Sequence, residues 1–139
     1  MKPAYLLDTN ILAEPLSPAP NPAVLAKLKE FESQLAIPAV VWHEMWFGFE
    51  RLPKSARRSA IEIFLLEVVA LSMPILPYDS RATEYHAAER ARLAGLGKTP
   101  SFADGQIAAI AYTSDLTLVT FNLADFLEFK DLKVTDWGG

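Results

Sequence analysis

The sequence predicts an α/β fold in which a mainly parallel central sheet is flanked by helices. Short apolar segments of strand length alternate with longer segments whose apolar residues recur at helical spacing. Prolines and helix-capping residues separate these segments, and no linker, internal repeat or low-complexity stretch interrupts the alternation. At 139 residues, the chain has the length of one domain that can bury a core without disulfides.

Five segments have the composition of strands, and alternation with helices predicts that they pair in parallel. In chain order they span residues 4–7, 34–37, 75–76, 117–120 and, as an edge strand, 132–134. Six segments have the composition of helices, several of them beginning at a capping residue such as Asn21, Ser55 or Asp79. With their caps, the helices are expected over residues 21–31, 39–52, 55–69, 79–95, 101–112 and 124–129.

Four acidic residues lie where such a fold places functional groups. Asp8 follows the first strand and Asp125 follows the strand at 117–120, and the C-terminal ends of parallel strands share one edge of a sheet. Glu44 and Asp104 belong to very apolar helices. The apolar neighbours of Glu44 predict that its side chain is largely buried, which costs free energy unless it is paired or holds a cation.

Carboxylates that share one pocket favour a bound divalent cation. Two unit charges about 4 Å apart repel by about 4 kcal/mol at an effective dielectric of 20. Oxygen ligands suit Mg²⁺ or Mn²⁺, and such an ion activates water and stabilises charge on a phosphoryl transition state. Convergence of the acids therefore predicts phosphodiester hydrolysis.

Each acid also has a structural interpretation. Ser101 and Asp104 have the spacing of a capping box, Asp125 could cap its short helix, and Asp8 could be a turn residue. Glu44 could instead form a salt bridge to Arg81, Arg90 or Arg92. Only the catalytic interpretation requires the carboxylates to converge.

Composition excludes several classes of protein. The absence of cysteine excludes disulfides, thiolate zinc sites and cysteine nucleophiles, and it favours a reducing, cytoplasmic compartment. A net charge of −4 offers no large basic surface, so that a nucleic-acid substrate would need a metal to offset phosphate repulsion. No apolar run is long enough to span a membrane, and the N-terminal run is too short for a signal peptide.

Three competing motifs fail on inspection. Residues 43–47 begin like a zinc-protease motif, but Phe47 replaces the second histidine. Residues 97–99 resemble the end of a phosphate-binding loop, but they follow a helix and the earlier glycine is missing. Asp8 and Asn10 resemble the start of a haloacid-dehalogenase-like phosphatase, in which a second acid stands at the position of Asn10.

Four segments resemble the PIN-domain family, and most closely its VapC-type toxins of type II toxin–antitoxin pairs. They are residues 6–12 (LLDTNIL), Glu44 in its helix, residues 101–109 (SFADGQIAA) and residues 118–126 (LVTFNLADF). The likeness spans nearly the whole chain and implies a single PIN domain over residues 1–139, with a parallel sheet and an acidic site at its C-terminal edge.

The resemblance also implies an activity and a set of site residues. It implies a Mg²⁺- or Mn²⁺-dependent endoribonuclease that forms a homodimer and is inhibited by a cognate VapB-like antitoxin. By this resemblance Asp8, Glu44, Asp104 and Asp125 are the catalytic residues and metal ligands. Supporting residues around the metal would be Thr9, Asn10, Thr120 and Asn122. Two alternatives are a PIN nuclease that processes RNA or cuts DNA without an antitoxin, and a non-catalytic PIN-like module that binds RNA or a partner.

Two features set this chain apart. Phe121 stands where many relatives carry Arg or Asn, and this difference is expected to affect the affinity for RNA or the preference among RNAs. Relatives also differ over whether the fourth acid lies at the position of Asn122 or of Asp125. One helix carries an excess of aromatic residues, which predicts either core packing or part of an interface. They are Trp42, Trp46, Phe47 and Phe49.

Overall fold

The structure, a computed structural model, describes residues 2–139. Five strands form one sheet in which all neighbouring strands are parallel, so the predicted α/β class is confirmed. The strands are β1 (Tyr5–Leu7), β2 (Leu35–Pro38), β3 (Ile75–Leu76), β4 (Thr117–Val119) and β5 (Val134–Thr135). Their order across the sheet is β3-β2-β1-β4-β5.

Helices connect the strands and cover the sheet. They are α1 (Thr9–Leu12), α2 (Pro22–Glu30), α3 (Ala39–Glu50), α4 (Ala56–Ile63), α5 (Ala70–Ser72), α6 (Ser80–Gly95), α7 (Phe102–Thr113) and α8 (Leu123–Phe126). Asn21, Ser55, Asp79 and Ser101 cap helices through their side chains, as their positions predict. Within residues 2–139, no helix is both long and apolar enough to cross a membrane.

The helix expected over residues 55–69 departs from α geometry in its second half. After α4, residues Phe64–Val69 form a π-helical segment that leads into α5. The wider turn shifts the buried stripe, so that Ile61, Leu65 and Val69 face the core, at a spacing of four residues. Val68, which an α-helix would place beside Ile61 and Leu65, is therefore 45% exposed.

The strand order fixes where a site can form. From β1 the chain runs through β2 to β3 on one side of the sheet, whereas β4 and β5 lie on the other side. A parallel sheet opens a crevice where its strand order reverses, beyond the C-terminal ends of the strands. Here that point lies between β1 and β4, where Leu7 pairs with Val119 and the next residues are Asp8 and Thr120.

Candidate active site

Asp8 lies where the strand order reverses between β1 and β4, which we call the reversal point, and two hydrogen bonds hold its carboxylate there. One carboxylate oxygen accepts the backbone N–H of Thr9 at 2.8 Å, so Asp8 caps the short helix α1. The other oxygen accepts the hydroxyl of fully buried Thr120 at 2.8 Å. The Thr120 hydroxyl in turn accepts the N–H of Asn122 at 3.0 Å. The ends of β1 and β4 are thus joined through the carboxylate, whose orientation is fixed.

Asp104 lies in the first turn of α7, and the structure supports both its role in a helix cap and its place beside the other acids. The Ser101 hydroxyl accepts the Asp104 N–H at 3.1 Å, as in a helix cap. Burial is the main cause of the raised pKa of the Asp104 carboxyl, and the negative charges of Asp8 and Asp125 raise this pKa further. A hydrogen bond with Ser101 lowers it, but by less than burial raises it. Capping of α7 therefore coexists with electrostatic contact among three of the candidate acids.

Asp125 is exposed in the first turn of α8, where its backbone N–H donates to the Asn122 carbonyl at 3.1 Å. Neither Asp125 nor Asn122 caps α8 through its side chain, so the capping interpretation of Asp125 is wrong. The Asp125 carboxylate acts on the pKa of Asp104, whereas Asn122 contributes its backbone to the Thr120 hydrogen bond.

The expected burial of Glu44 is wrong. The residues of α3 that face the core are Val41, Met45 and Phe49, which leaves Glu44 exposed on another side of the helix. Glu44 also forms no ion pair within the described residues 2–139. Its carboxylate is not among the charges that raise the pKa of Asp104, whereas those of Asp8 and Asp125 are.

Glu44 instead borders a cleft of about 610 Å³, which we call the Arg57 cleft. Its polar and charged lining includes Asn10, Glu14, Glu44, Arg51 and Arg57, and Phe121 forms part of its wall. Asn10 lies in α1, two residues beyond Asp8, so the cleft adjoins the reversal point of the sheet. The two arginines and the cleft itself were not found from the sequence, because α1, α3, α4 and Phe121 meet there only in the folded chain.

A buried histidine fixes the turn of α7 that carries Asp104. His86 of α6 is 3% exposed, and its Nδ1 atom shares a hydrogen bond with the Tyr78 hydroxyl at 2.7 Å. Burial and the nearby Arg90 charge lower the pKa of His86. A Cβ atom added at Gly105 would lie 2.1 Å from the His86 Nε2 atom, so only glycine permits this approach. The imidazole therefore packs directly beneath the residue that follows Asp104.

A second polar cluster, also missed from the sequence, anchors the chain beyond α8. Glu89 of α6 is 5% exposed and accepts two hydrogen bonds from the Arg92 guanidinium, at 2.9 and 2.8 Å. Glu89 also accepts the N–H of Lys130 at 2.6 Å, and Arg92 donates to the Glu128 carbonyl at 2.7 Å. Above all, the hydrogen bond from Arg92 lowers the pKa of Glu89. The signal in the sequence is an acid at the helical spacing of buried residues 82, 86 and 93.

The donor chemistry of the three acids fits a hard divalent cation. Asp8, Asp104 and Asp125 offer only carboxylate oxygens, and the charges of Asp8 and Asp125 add to the effect of burial in raising the pKa of Asp104. Within residues 2–139, however, no three acidic or histidine side chains lie close enough together to bind a metal as they stand. Asp125 and Glu44 are both exposed, so their carboxylates can move without disturbing the core.

Comparison with known proteins defines the class. The model of the PIN domain family matches residues 5–132. Toxin FitB of Neisseria gonorrhoeae is 31% identical over 124 residues, which cover 87% of this chain and 89% of FitB. VapC ribonuclease Y4jK of Sinorhizobium fredii is 32% identical over 124 residues, with the same coverage of this chain and 89% of its own length.

A solved structure agrees over almost the whole fold. The structure of FitAB bound to an IR36 DNA fragment superposes with a TM-score of 0.88 at 29% identity, covering 97% of this chain and 96% of the other. The chain described here belongs to the PIN domain family. Its five-stranded parallel sheet flanked by helices is therefore a PIN fold.

Proposed function

We propose that this protein is a metal-dependent endoribonuclease and the toxin of a type II toxin–antitoxin pair, with residues 1–139 forming one PIN domain in the cytoplasm. Relatives that are similar over most of the chain are named ribonucleases and toxins. The observation that carries the proposal is the position of Asp8, bound to the Thr120 hydroxyl where β1 and β4 end, together with the charges of Asp8 and Asp125 acting on Asp104.

The proposed reaction is hydrolysis of an RNA phosphodiester bond. PIN-domain ribonucleases use a divalent metal, and here Asp8, Asp104 and Asp125 would hold Mg²⁺ or Mn²⁺, with Glu44 as an outer ligand. When bound, the ion lowers the pKa of a water molecule and neutralises charge on the phosphate. Thr120 and the Thr9 N–H orient Asp8, and Ser101 orients the turn that carries Asp104. Asn10 faces the adjoining cleft, where the RNA would lie.

Cleavage of an RNA substrate with and without Mg²⁺ tests this proposal. Asp8→Asn should lower the cleavage rate by about 10²–10⁴-fold, the usual effect of losing one positioned catalytic group. Asp115→Asn is the matched control, because this exposed acid pairs with Lys133 and does not act on Asp104. EDTA should stop cleavage by the wild type. Cleavage at full rate in EDTA would contradict the proposal.

We also propose that the protein binds a small VapB-like antitoxin and forms a homodimer, with α3 contributing to an interface. The aromatic residues of α3 are only partly used by the core. Trp42 and Trp46 are half-buried and pack edge to face, whereas Phe47 is 49% exposed. Phe47→Ala should weaken self-association or antitoxin binding, measured by sedimentation, and Leu96→Ala should not. If Phe47→Ala and Leu96→Ala both associate as strongly as the wild type does, α3 is not part of the interface.

A further inference from the structure

We infer that the Arg57 cleft binds the RNA strand beside the cleavage site, with Arg57 contacting a backbone phosphate and Phe121 stacking on a base. This inference rests on the proposed ribonuclease function and names the side chains that would hold its substrate. The cleft measures about 610 Å³, within the range of sites that enclose small molecules. A segment of one or two nucleotides is therefore a suitable occupant.

Arg57 is free to bind an anion, in contrast to its neighbour. The Arg58 guanidinium lies 4.1 Å from the centre of the Phe49 ring. It also donates to the carbonyls of Phe49 and Leu52, at 3.1 and 2.6 Å, and thereby closes the C-terminal end of α3. Arg57 is exposed and makes no hydrogen bond or ion pair through its side chain within residues 2–139. Its guanidinium can therefore meet a phosphate with paired N–H donors.

A second guanidinium borders the same cleft. Arg51 lies 4.7 Å from the centre of the Phe47 ring, a contact that leaves its N–H groups available. The chain as a whole carries a net charge of −4, so that its general field repels nucleic acid. Glu14 and Glu44 also line the cleft, but the Glu14 carboxylate is engaged by the backbone N–H of Asn21 at 2.8 Å. The two guanidinium groups are therefore the groups of the cleft that can bind a phosphate.

Phe121 is held in a fixed position at the wall of the cleft. An added Cβ atom at Gly138 would lie 2.7 Å from the Phe121 Cε1 atom, so the ring edge packs against the backbone there. Gly138 is itself anchored, since its N–H donates to Asp136 at 2.6 Å and its carbonyl accepts from Asn21 at 3.2 Å. An aromatic ring that is ordered before binding stacks on a base at low entropic cost.

The cleft is joined to the acids through the chain on both sides. Phe121 directly follows Thr120, whose hydroxyl binds Asp8, and Asn10 follows Asp8 in α1. A base stacked on Phe121 would therefore place an adjacent phosphate near the reversal point of the sheet. The bound RNA must be single-stranded, because a base within a duplex does not expose its face to a side chain.

Fluorescence anisotropy of an unstructured RNA of about 12 nucleotides, within the length that single-strand sites cover, tests the inference. The measurement is made in EDTA over a series of salt concentrations, so that proposed cleavage does not interfere. Arg57→Gln should weaken binding and reduce the slope of log Kd against log salt by about 0.7, the value for one phosphate contact to a single strand. Arg81→Gln, an exposed arginine of α6 outside the cleft, should leave the slope unchanged.

Stacking and charge are separated by variants of Phe121. Phe121→Leu should raise the Kd about 5- to 100-fold without changing the salt slope, because one base stack is lost and no phosphate contact. Phe121→Tyr keeps an aromatic face and should bind within about 3-fold of wild type. Circular dichroism of each variant checks that the fold is retained.

The outcomes distinguish this inference from the proposed function. If the wild type does not bind the RNA, or binds it no better than the Arg57 and Phe121 variants do, the Arg57 cleft is not the RNA site. If the variants weaken binding as expected but the wild type never cleaves RNA in Mg²⁺, the cleft binds RNA and the proposed ribonuclease function is wrong.

Discussion

The acids of the candidate site differ in how far their neighbours in the sequence reveal them. The caps Asn21 and Asp79 were predictable because a cap interaction spans only two or three residues, whereas the capping of α1 by Asp8 was not predicted. The sequence wrongly predicts Glu44 on the buried side of α3, because apolar and aromatic residues precede and follow it in this helix. When a helix is apolar over most of its circumference, its sequence does not show which side faces the core.

The raised pKa of Asp104 gives a residue-scale prediction. Burial and the charges of Asp8 and Asp125 disfavour the ionised carboxylate in the folded protein. The folded state therefore holds this proton more tightly than the unfolded chain does. As pH rises from the unfolded pKa through the raised folded pKa, Asp104 lowers the free energy of unfolding, and the penalty remains at neutral pH.

Asp8→Asn should remove part of that penalty and lower the pKa of Asp104. A carboxyl-carbon NMR titration of Asp104 in wild type and variant measures the change directly. Asp115→Asn should leave the pKa of Asp104 as it is, because Asp115 is not among the charges that act on it. An Asp104 titration that neither Asp8→Asn nor Asp125→Asn alters would show that the three acids are not in electrostatic contact.

At the scale of elements, the existence and parallel pairing of the strands were predictable, whereas two helix details were not. The alternation of short apolar and long amphipathic segments is a local signal and correctly gave the class of fold. The π-helical segment at Phe64–Val69 and the short helix α1 were missed, because both depend on how the segment packs rather than on its composition.

Gly105 joins two elements, and its substitution gives a prediction for α7. Gly105→Ala places a methyl group 2.1 Å from the His86 Nε2 atom. Because His86 is buried against Tyr78 and Phe102, the variant should lose about 1–3 kcal/mol of unfolding free energy, the usual cost of overpacking. Urea unfolding measures the loss.

Gly48→Ala is the matched control, since nothing lies within 4 Å of an added Cβ atom there. This variant lies in the interior of α3 and should gain up to about 1 kcal/mol from the better helix propensity of alanine. Adding His86→Ala to Gly105→Ala should give a loss smaller than the sum of the two single losses. Strict additivity would mean that the imidazole does not cause the strain.

The Glu89 cluster links α6 to the segment after α8, and its loss should loosen that connection. Glu89→Gln removes the charge that binds Arg92 and should lower the unfolding free energy by about 1–3 kcal/mol at neutral pH. Because the folded pKa of Glu89 is depressed, its contribution is present above the unfolded pKa and is lost as pH falls through the folded pKa. The difference between wild type and variant should therefore shrink in acid.

Glu84→Gln tests whether this effect is specific. Glu84 is exposed on the same helix and has no ion pair within residues 2–139. Its substitution should change the unfolding free energy by less than about 0.5 kcal/mol, as for most surface positions. A pH-independent difference between wild type and Glu89→Gln would contradict the proposed role of the charge.

For the whole molecule, the reversal point of the sheet was predictable, but the cleft beside it was not. The sequence places Asp8 and Thr120 at strand ends, and a parallel sheet brings such ends together. The Arg57 cleft combines residues from α1, α3, α4 and the turn after β4, which are distant in sequence and meet only through packing. No local pattern contains that information.

The most direct measurement is thermal unfolding of the wild type and of Asp8→Asn, in EDTA and in Mg²⁺. If Asp8, Asp104 and Asp125 bind one metal, Mg²⁺ should stabilise the wild type by RT ln(1 + [Mg²⁺]/Kd), or about 1.4 kcal/mol at ten times Kd. In EDTA, Asp8→Asn removes a charge that opposes Asp104 but keeps only one oxygen for the two donors, the Thr9 N–H and the Thr120 hydroxyl, so these two effects oppose each other and each protein in EDTA is its own reference. Mg²⁺ should raise the Tm of Asp8→Asn far less. Equal stabilisation of both proteins by Mg²⁺ would show that the acids at the reversal point do not form the metal site.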